Sequence, residues 1–365
     1  MAIPLILPLQ AQDELSDPHD TLFIEDHSDG LIGRIYSSTK YNALRIAGSS
    51  ASGDLVYRPT NQFNLGIGAS YRRFTLNLGF AIPFINSARR ERLGRTRYLD
   101  AQGNLFGPKL ATNLFLQVFK GYHLSSHDLQ DLSWPEQETD RPYREDIVQS
   151  NFGITMLRVT NFERYSYRAA LNQDAWQKRS QGSWLWGGYG TYYRLRADSS
   201  LVPDPELQNY SIAAAMRKGD LIDLGPMGGY AYTLVFGDRT FLMGSVAFGA
   251  GLSMQNITSE GEHDREHKIS TIGPGWHLQL RSGIGYRFGR EQLSITFNHE
   301  RVHYLLPEQD VFAWGVGNIR LSFIHRFERK VPVFDRFLRK VAPHTPEVLQ
   351  EVVPAIKEAA EEEDP

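Results

Sequence analysis

Residues 276–288 alternate without a break. Trp276, Leu278, Leu280, Ser282, Ile284, Tyr286 and Phe288 take the even positions, and His277, Gln279, Arg281, Gly283, Gly285 and Arg287 the odd ones. A strand turns successive side chains to opposite faces, so this stretch predicts one apolar face and one polar face. The pattern recurs at 74–84, where Phe74, Leu76, Leu78, Phe80, Ile82 and Phe84 alternate with Thr75, Asn77, Gly79 and Ala81. It recurs again at 240–254, with Leu242, Val246, Phe248, Leu252 and Met254 against Ser245, Ala247, Gly249, Gly251 and Ser253. The apolar face must meet either the core of a soluble sandwich or the hydrocarbon of a bilayer.

Length and spacing decide between them. Strand-like runs fall at 30–49, 54–72, 74–84, 95–106, 108–122, 147–160, 164–173, 181–197, 225–237, 240–256, 275–289, 291–305 and 311–327. Many exceed the roughly 5–6 residues usual in soluble sheets and reach the roughly 9–11 that cross a bilayer. Tight turns are expected at Arg72-Arg73, Gly237-Asp238-Arg239 and Gly289-Arg290, and long polar loops at 123–146, 198–224 and 257–274. Short turns at one end and long loops at the other is the asymmetry of outer-membrane barrels. The expectation is an all-β fold: a closed antiparallel transmembrane β-barrel of about 12 strands, 14 being the other count the pattern allows. An even count is needed if both termini are periplasmic, and the thirteen runs conflict with it. Either 95–106 and 108–122 are divided wrongly, or 173–183 does not cross. Phe74, Leu76, Leu78, Phe80, Trp276, Leu278, Leu280, Ile284 and Phe288 are expected to face lipid, and His277, Gln279, Arg281 and Arg287 the lumen.

Composition narrows the chemistry. No apolar run approaches the roughly 20 residues of a spanning helix. The formal charge of −3 and the lack of a basic, aromatic-interleaved patch give no sign of nucleic acid. There is no cysteine, hence no disulfide framework and no thiolate site. Neither a phosphate-cradling loop nor a nucleotide fingerprint occurs in a strand–helix context, and no cofactor is expected.

Residues 1–11 read as the remnant of a secretory signal peptide, although the basic n-region is missing and Leu9 is a poor −3 residue; a floppy apolar terminus is the alternative. Residues 12–29 then form a periplasmic N-terminal segment, 30–327 the barrel, and 328–365 a periplasmic tail. In the tail Val333, Phe334, Phe337, Leu338 and Val341 have helical spacing, and Thr345-Pro346 is a helix start. It is either partly helical and membrane-associated or loosely ordered.

Three stretches carry candidate chemistry. The pentapeptide His263–His267 fits an H-x-x-E-H zinc pattern, but it lies between strands where zinc chemistry needs a helix face and a further ligand. His263 and His267 are therefore weak metal candidates against a charged loop tip. His299 and His303 share a strand face with Arg301 between them, and no serine partner can be placed for a lipid hydrolase. The run Asn172–Ser183 is densely polar between two aromatic stretches. It either constricts the lumen, lines its mouth or is a surface loop. Arg168, Trp176, Lys178, Arg179 and Ser180 join the four odd residues of 277–287 as lumen or constriction candidates. No catalytic residue is assigned.

The stretches 57–84, 95–124, 164–188 and 225–236 resemble the family catalogued as domain of unknown function 4421. The run from Ser166-Tyr167-Arg168-Ala169-Ala170 to Gln177-Lys178, Ser180 and Gly182-Ser183 is the most specific part. The likeness extends from about residue 20 to 327. It implies an outer-membrane β-barrel of Gram-negative bacteria and transfers no activity. Three roles follow for such a barrel: a passive, porin-like route for small solutes; a structural or assembly partner acting through outer loops or tail; and a lipid-modifying hydrolase. The first is expected, with outer-membrane lipid and small solutes as its contacts. An open lumen would favour it, and a filled lumen the second.

Overall fold

The structure, a computed structural model, describes residues 19–47, 53–60, 63–71, 74–81, 83–107, 109–132, 134–135, 137–260, 266–307 and 310–327. The expected signal remnant, the 328–365 tail, the Arg72-Arg73 turn and His263 lie outside these residues.

One antiparallel ladder closes on itself. The first long strand, β2 (Leu31–Ala47), pairs along its whole length with the last, β15 (Val311–Phe327): Leu31 is opposite Phe327 and Ala47 opposite Val311. From β15 the ring passes through β14 (Glu291–Leu305), β13 (Glu266–Phe288), β12 (Thr240–Glu260), β11 (Met216–Phe236) and β10 (Gln181–Arg196). It continues through β8 (Tyr143–Val159) and β7 (Leu110–Leu124) to the short β3 (Asp54–Arg58), which returns to β2. Three strands hang from this ring. β4 (Phe63–Tyr71) pairs the lower half of β2, β5 (Phe74–Ala81) pairs β4, and β6 (Arg97–Phe106) pairs β7. The helix α1 (Pro83–Leu93) joins β5 to β6. Among the described residues no ladder connects β5 with β6.

The closed ladder therefore holds ten strands, not twelve. Of the thirteen expected runs, 164–173 drops out of the wall, and 74–84 and 95–106 become β5 and β6, which hang outside the closed ring. The run 54–72 is broken after Arg58, where Pro59 offers no backbone N–H to a ladder. Its halves, β3 and β4, then pair different stretches of the same edge of β2. The run 164–173 is no strand: it contains the short helix α2 (Tyr167–Leu171). Removing it resolves the parity conflict, because β8 and β10 now both run between the two ends.

The turns 237–239 and 289–290 lie at the same end as Leu31 and Phe327. Gly237 (φ 59°) and Gly289 (φ 69°) sit in the left-handed region that tight hairpins demand. The connections 125–142 and 197–215 lie at the opposite end. The third long loop is shorter than expected: β12 and β13 stay paired out to Glu260 opposite Glu266 and form a projecting hairpin.

Alternation sorts the side chains as a barrel requires. Leu78, Phe80, Ile284 and Phe288 are exposed on the outer face, and Trp276, Leu278 and Leu280 share that face half-buried. The side chains of Phe74 and Leu76 lie outside those described. Trp276 is covered by His303, stacked at 5.0 Å between ring centroids.

Because Gly289 holds a left-handed turn, Gly289→Val should destabilise the folded barrel by about 1–2 kcal/mol. Reversible urea unfolding in lipid vesicles measures it; an unchanged midpoint would mean the hairpin tolerates another turn type.

Candidate functional site: the lumen and its two closures

At the short-turn end the lumen is filled by two chain segments. Residues 19–28 enter before β2, and residues 160–180 connect β8 to β10. Between them β1 (Ile24–Asp26) and β9 (Ala175–Gln177) form a two-stranded ribbon, with Glu25 opposite Trp176. The helix α2 sits beside this ribbon with Tyr167, Arg168, Ala169 and Ala170 buried. The plug grips the inner wall through named contacts. The Tyr167 hydroxyl lies 3.3 Å from that of Ser245, and the Gln173 amide donates to Ser294 at 3.1 Å. Arg34 donates to the Asn172 carbonyl at 2.8 Å, and Arg287 to Glu25 at 2.8 Å. The Arg287 guanidinium also lies over the Trp176 ring, 4.5 Å from its centroid, a cation–π contact strengthened by loss of water. Gln173 holds a left-handed backbone (φ 60°), uncommon outside glycine, and its anchorage to Ser294 keeps it there.

Arg168 organises the charges of this plug. It is hydrogen-bonded to Asp26 and lies 3.5 Å from Asp174, which is itself almost fully buried. Burial pushes the Asp174 carboxyl up, even against the pull of Arg168. Burial also opposes the charge of Asp26, but Arg168 and the Ser28 N–H, donating at 2.7 Å, hold its carboxyl below the ordinary value. Burial, and then the charge of Arg326, push His27 down to about 4 despite Glu25 at 3.6 Å.

At the long-loop end the closure is apolar. Leu201, Val202 and Ala213–Ala215 from the 197–215 connection pack with Tyr57, Tyr193, Tyr304, Phe312 and Trp314 from the wall. The Tyr57 hydroxyl donates to the Leu201 carbonyl at 2.6 Å, and Arg144 to the Ser200 carbonyl at 2.9 Å. Phe115 completes this layer by lying across Gly153, whose missing Cβ makes the approach feasible.

Between the closures the wall is polar. His277 (0 % exposed) and Gln279 (1 %) point inward with Arg281. All three converge on Glu300: His277 at 3.6 Å, Arg281 at 3.3 Å, and Gln279 donating at 3.1 Å. Tyr189 lies edge-on to His277 and donates to Asp223 at 3.2 Å. A cavity of about 310 Å³ opens beside this cluster, bounded by Asn113, Arg281, Glu300, Asn318 and Arg320.

The sequence candidates divide accordingly. Arg168 and Trp176 are buried in the plug, His277, Gln279 and Arg281 line the middle, and Arg287 joins wall to plug. Of the three alternatives for this run, Lys178, Arg179 and Ser180 take a place at the mouth, exposed at the rim of the short-turn end. The chain is already turning into β10 there. Lys178 donates to the Thr21 carbonyl, Arg179 stacks over Phe23, and Ser180 accepts from the Val235 N–H. His267 is exposed, and among the described residues no cluster of metal-binding side chains forms. His299 lies 3.1 Å from the Tyr41 hydroxyl, while His303 covers Trp276. The inward residues between them are Glu300 and Val302, of which Glu300 is the charged one that strand parity would have pointed to. Arg34, Asp174, Asp223 and Arg320 were missed as well; each is a charge in a strand or loop whose facing depends on register or on the plug.

A family model described as Domain of unknown function (DUF4421) matches residues 18–327. No curated protein matches the chain. Among solved structures, the toluene transporter TodX of Pseudomonas putida is 8% identical, covering 82% of this chain and 90% of its own, at a TM-score of 0.23. OmpT, an outer membrane protein of Vibrio cholerae, is 10% identical over 82% of this chain and 98% of its own, at 0.26. A Pseudomonas aeruginosa FadL homologue gives 10%, 82%, 91% and 0.25 in the same order. At these scores the superpositions are loose, and nothing about this chain follows from them.

The plug should respond to acid through His27. Its folded value of about 4 lies below the ordinary 6.5, so docking favours the neutral ring. That contribution is complete above pH 6.5 and is lost as pH falls through 4. Asp174 acts in the opposite sense, and Asp26 titrates only below 3.8. Acrylamide quenching of Trp176, taken as wild type minus Trp176→Phe, should rise between pH 6.5 and 4. His27→Gln should flatten that rise; an unchanged rise would assign it elsewhere.

Proposed function

The chain belongs to the DUF4421 family, and we propose that it is an integral outer-membrane β-barrel, closed at rest, that passes small solutes through its central chamber when a closure moves. The observation that carries the membrane reading is the belt of apolar side chains on the outer face. Ile35, Ile67, Phe80, Trp184, Leu252 and Ile272 are each more than half exposed, while the residues between them on the same strands turn to the inside of the barrel. A soluble monomer rarely exposes a contiguous apolar patch beyond a few hundred Å²; in lipid the same belt is the contact surface. Closed barrels satisfy their backbone groups without solvent, which a spanning strand requires. The short-turn end, where both described chain ends lie, is assigned to the periplasm, and the long connections to the outside.

The lumen supports a closed barrel in place of a constitutively open pore. A plug that combines ion pairs with the apolar packing of Tyr165, Tyr167 and Trp176 fills one end and an aromatic layer the other, with the chamber between them. The reading assigns no catalysis. The same filled ends favour a second reading, a structural or assembly partner engaging through the long connections.

Three measurements test the proposal. Unboiled protein should migrate faster than boiled protein on a detergent gel, since a ring of strands closed by the β2–β15 ladder resists detergent; identical mobility would oppose the barrel in membranes. Leu280→Arg should cost roughly 2–4 kcal/mol in a lipid-refolding titration, as expected for arginine near the midplane, whereas a cost near zero would move that face out of lipid. Wild type should be silent in a planar bilayer. Replacing residues 165–177 by a Gly/Ser linker, together with Leu201→Ser and Val202→Ser in the upper layer, should produce conductance steps. If that variant folds and stays silent, the structural reading takes over.

A further inference from the structure

Several arginines at the long-loop end are paired with acids. Arg194 and Arg196 hold Asp220 at 2.7 and 2.6 Å, Arg45 holds Asp54, and Arg217 holds Glu266. One corner breaks this pattern. Arg97 of β6 stands directly opposite Lys120 of β7, and both are exposed. Like charges set opposite one another across a ladder are destabilising. Arg95, two residues before Arg97, adds a third cation, and the three line a cleft of about 240 Å³ with Tyr143 and Glu145. Among the described residues none of the three cations makes an ion pair, with Glu145 or with any other carboxylate. Asp140, from the connection above, is held by Arg92 at 2.7 Å. Asp100, the acid of β6, stands three rungs lower, opposite Gln117.

The backbone that carries these cations is fixed. The Tyr143 hydroxyl donates to the Arg95 carbonyl at 2.6 Å, and Thr96, between the two arginines, donates to the Gly121 carbonyl at 2.8 Å. Below them on the same outward face come Leu99 (59 % exposed) and Leu116 (47 %). Arg97 is two residues beyond Leu99, and Lys120 two beyond Val118, which pairs Leu99. The cations therefore begin where the apolar belt stops, at the level where hydrocarbon gives way to lipid heads. Long basic side chains at such a level lay their stems on apolar surface and their charges among polar groups.

Resting on the membrane-barrel reading above, we propose that Arg95, Arg97 and Lys120 form a site for the phosphate of an outer-leaflet lipid, whose acyl chains lie along Leu99 and Leu116. The like-charge rung calls for an anion, and the fold brings no carboxylate to it. Its place against the belt makes a lipid head the anion within reach. Arginine takes phosphate through paired N–H donors, and lysine as a point charge. The cleft is smaller than the roughly 300 Å³ at which ligand pockets begin, so it takes a head group and leaves the chains outside.

Native mass spectrometry of the full chain, titrated in detergent micelles with dioleoyl phosphatidic acid, tests this. One lipid should be retained saturably. Arg97→Gln with Lys120→Gln should weaken binding at least tenfold, and Arg95→Gln several-fold. Arg194→Gln, which removes a paired arginine from the same end, should stay within twofold. Dioleoyl phosphatidylcholine, whose phosphate carries its own cation, should bind at least tenfold more weakly. Inorganic phosphate at the same concentration should not displace the lipid, because it has no chains to lay on Leu99 and Leu116; equal competition would overturn the lipid as the source of the phosphate. Arg97→Glu separates binding from folding. It sets opposite charges on the rung with Lys120, so the barrel should unfold at the wild-type urea concentration or above it, yet lose the lipid. A lower midpoint would assign Arg97 to the fold instead. Every variant is first checked for heat-dependent mobility. Folded variants with wild-type affinity, or equal retention of phosphatidylcholine, overturn the site. Either result leaves the membrane barrel itself standing, because that is judged on the wild type without added lipid.

Discussion

Everything in this fold depends on the obligation of each backbone N–H and C=O to find a partner across a strand boundary. The pairing of β2 with β15 discharges it for the two terminal strands of the ring and turns a sheet into a tube. Once the tube exists, alternation does the rest. Every residue of a paired strand is committed to the wall's inside or outside, and a one-residue slip would reverse both faces at once. The polar cluster around Glu300 and the apolar belt outside it are two consequences of one register.

The interior shows how such a tube is filled. Its two ends are closed by different chemistry. The upper layer is aromatic and aliphatic, held by packing around Tyr193 and Trp314. The lower plug has its own apolar packing around Tyr167 and Trp176, and adds to it directional polar contacts, with Arg168 placed between two carboxylates and Arg287 between Glu25 and Trp176. Apolar packing is tolerant of small shifts, whereas buried ion pairs lose heavily when one partner departs. The plug is therefore the closure whose state can depend on protonation, and the upper layer the one that depends on the long connections.

Much of this was legible in the chain. The alternation at 276–288 assigned inside and outside, because a period of two survives any uncertainty about neighbours. The bounds of 291–305 and 311–327 were also readable, since turn residues end each run abruptly. The strand count was not, for two physical reasons. One proline split a run into halves that pair different stretches of β2. And a segment rich in Tyr, Arg and Ala carries nearly the same apolar content whether it is a wall strand or a helix enclosed by the wall. The charged residues of the lumen were half legible: those on the 277–287 strand followed from parity. The rim position of Lys178 and Arg179, and the burial of Asp174, depended on where the plug sits, and no local pattern encodes that.

The larger part of the plug, residues 160–180, lies in mid-sequence, while the ring that encloses it is completed by its first and last strands. Leu31 cannot meet Phe327 until the whole intervening chain has been delivered, and contacts so distant in sequence form late. Residues 160–180 must therefore be lodged in an unfinished trough of strands before the final ladder zips. The contents of this vessel are loaded during its assembly, and the β2–β15 ladder is the lid sealed last.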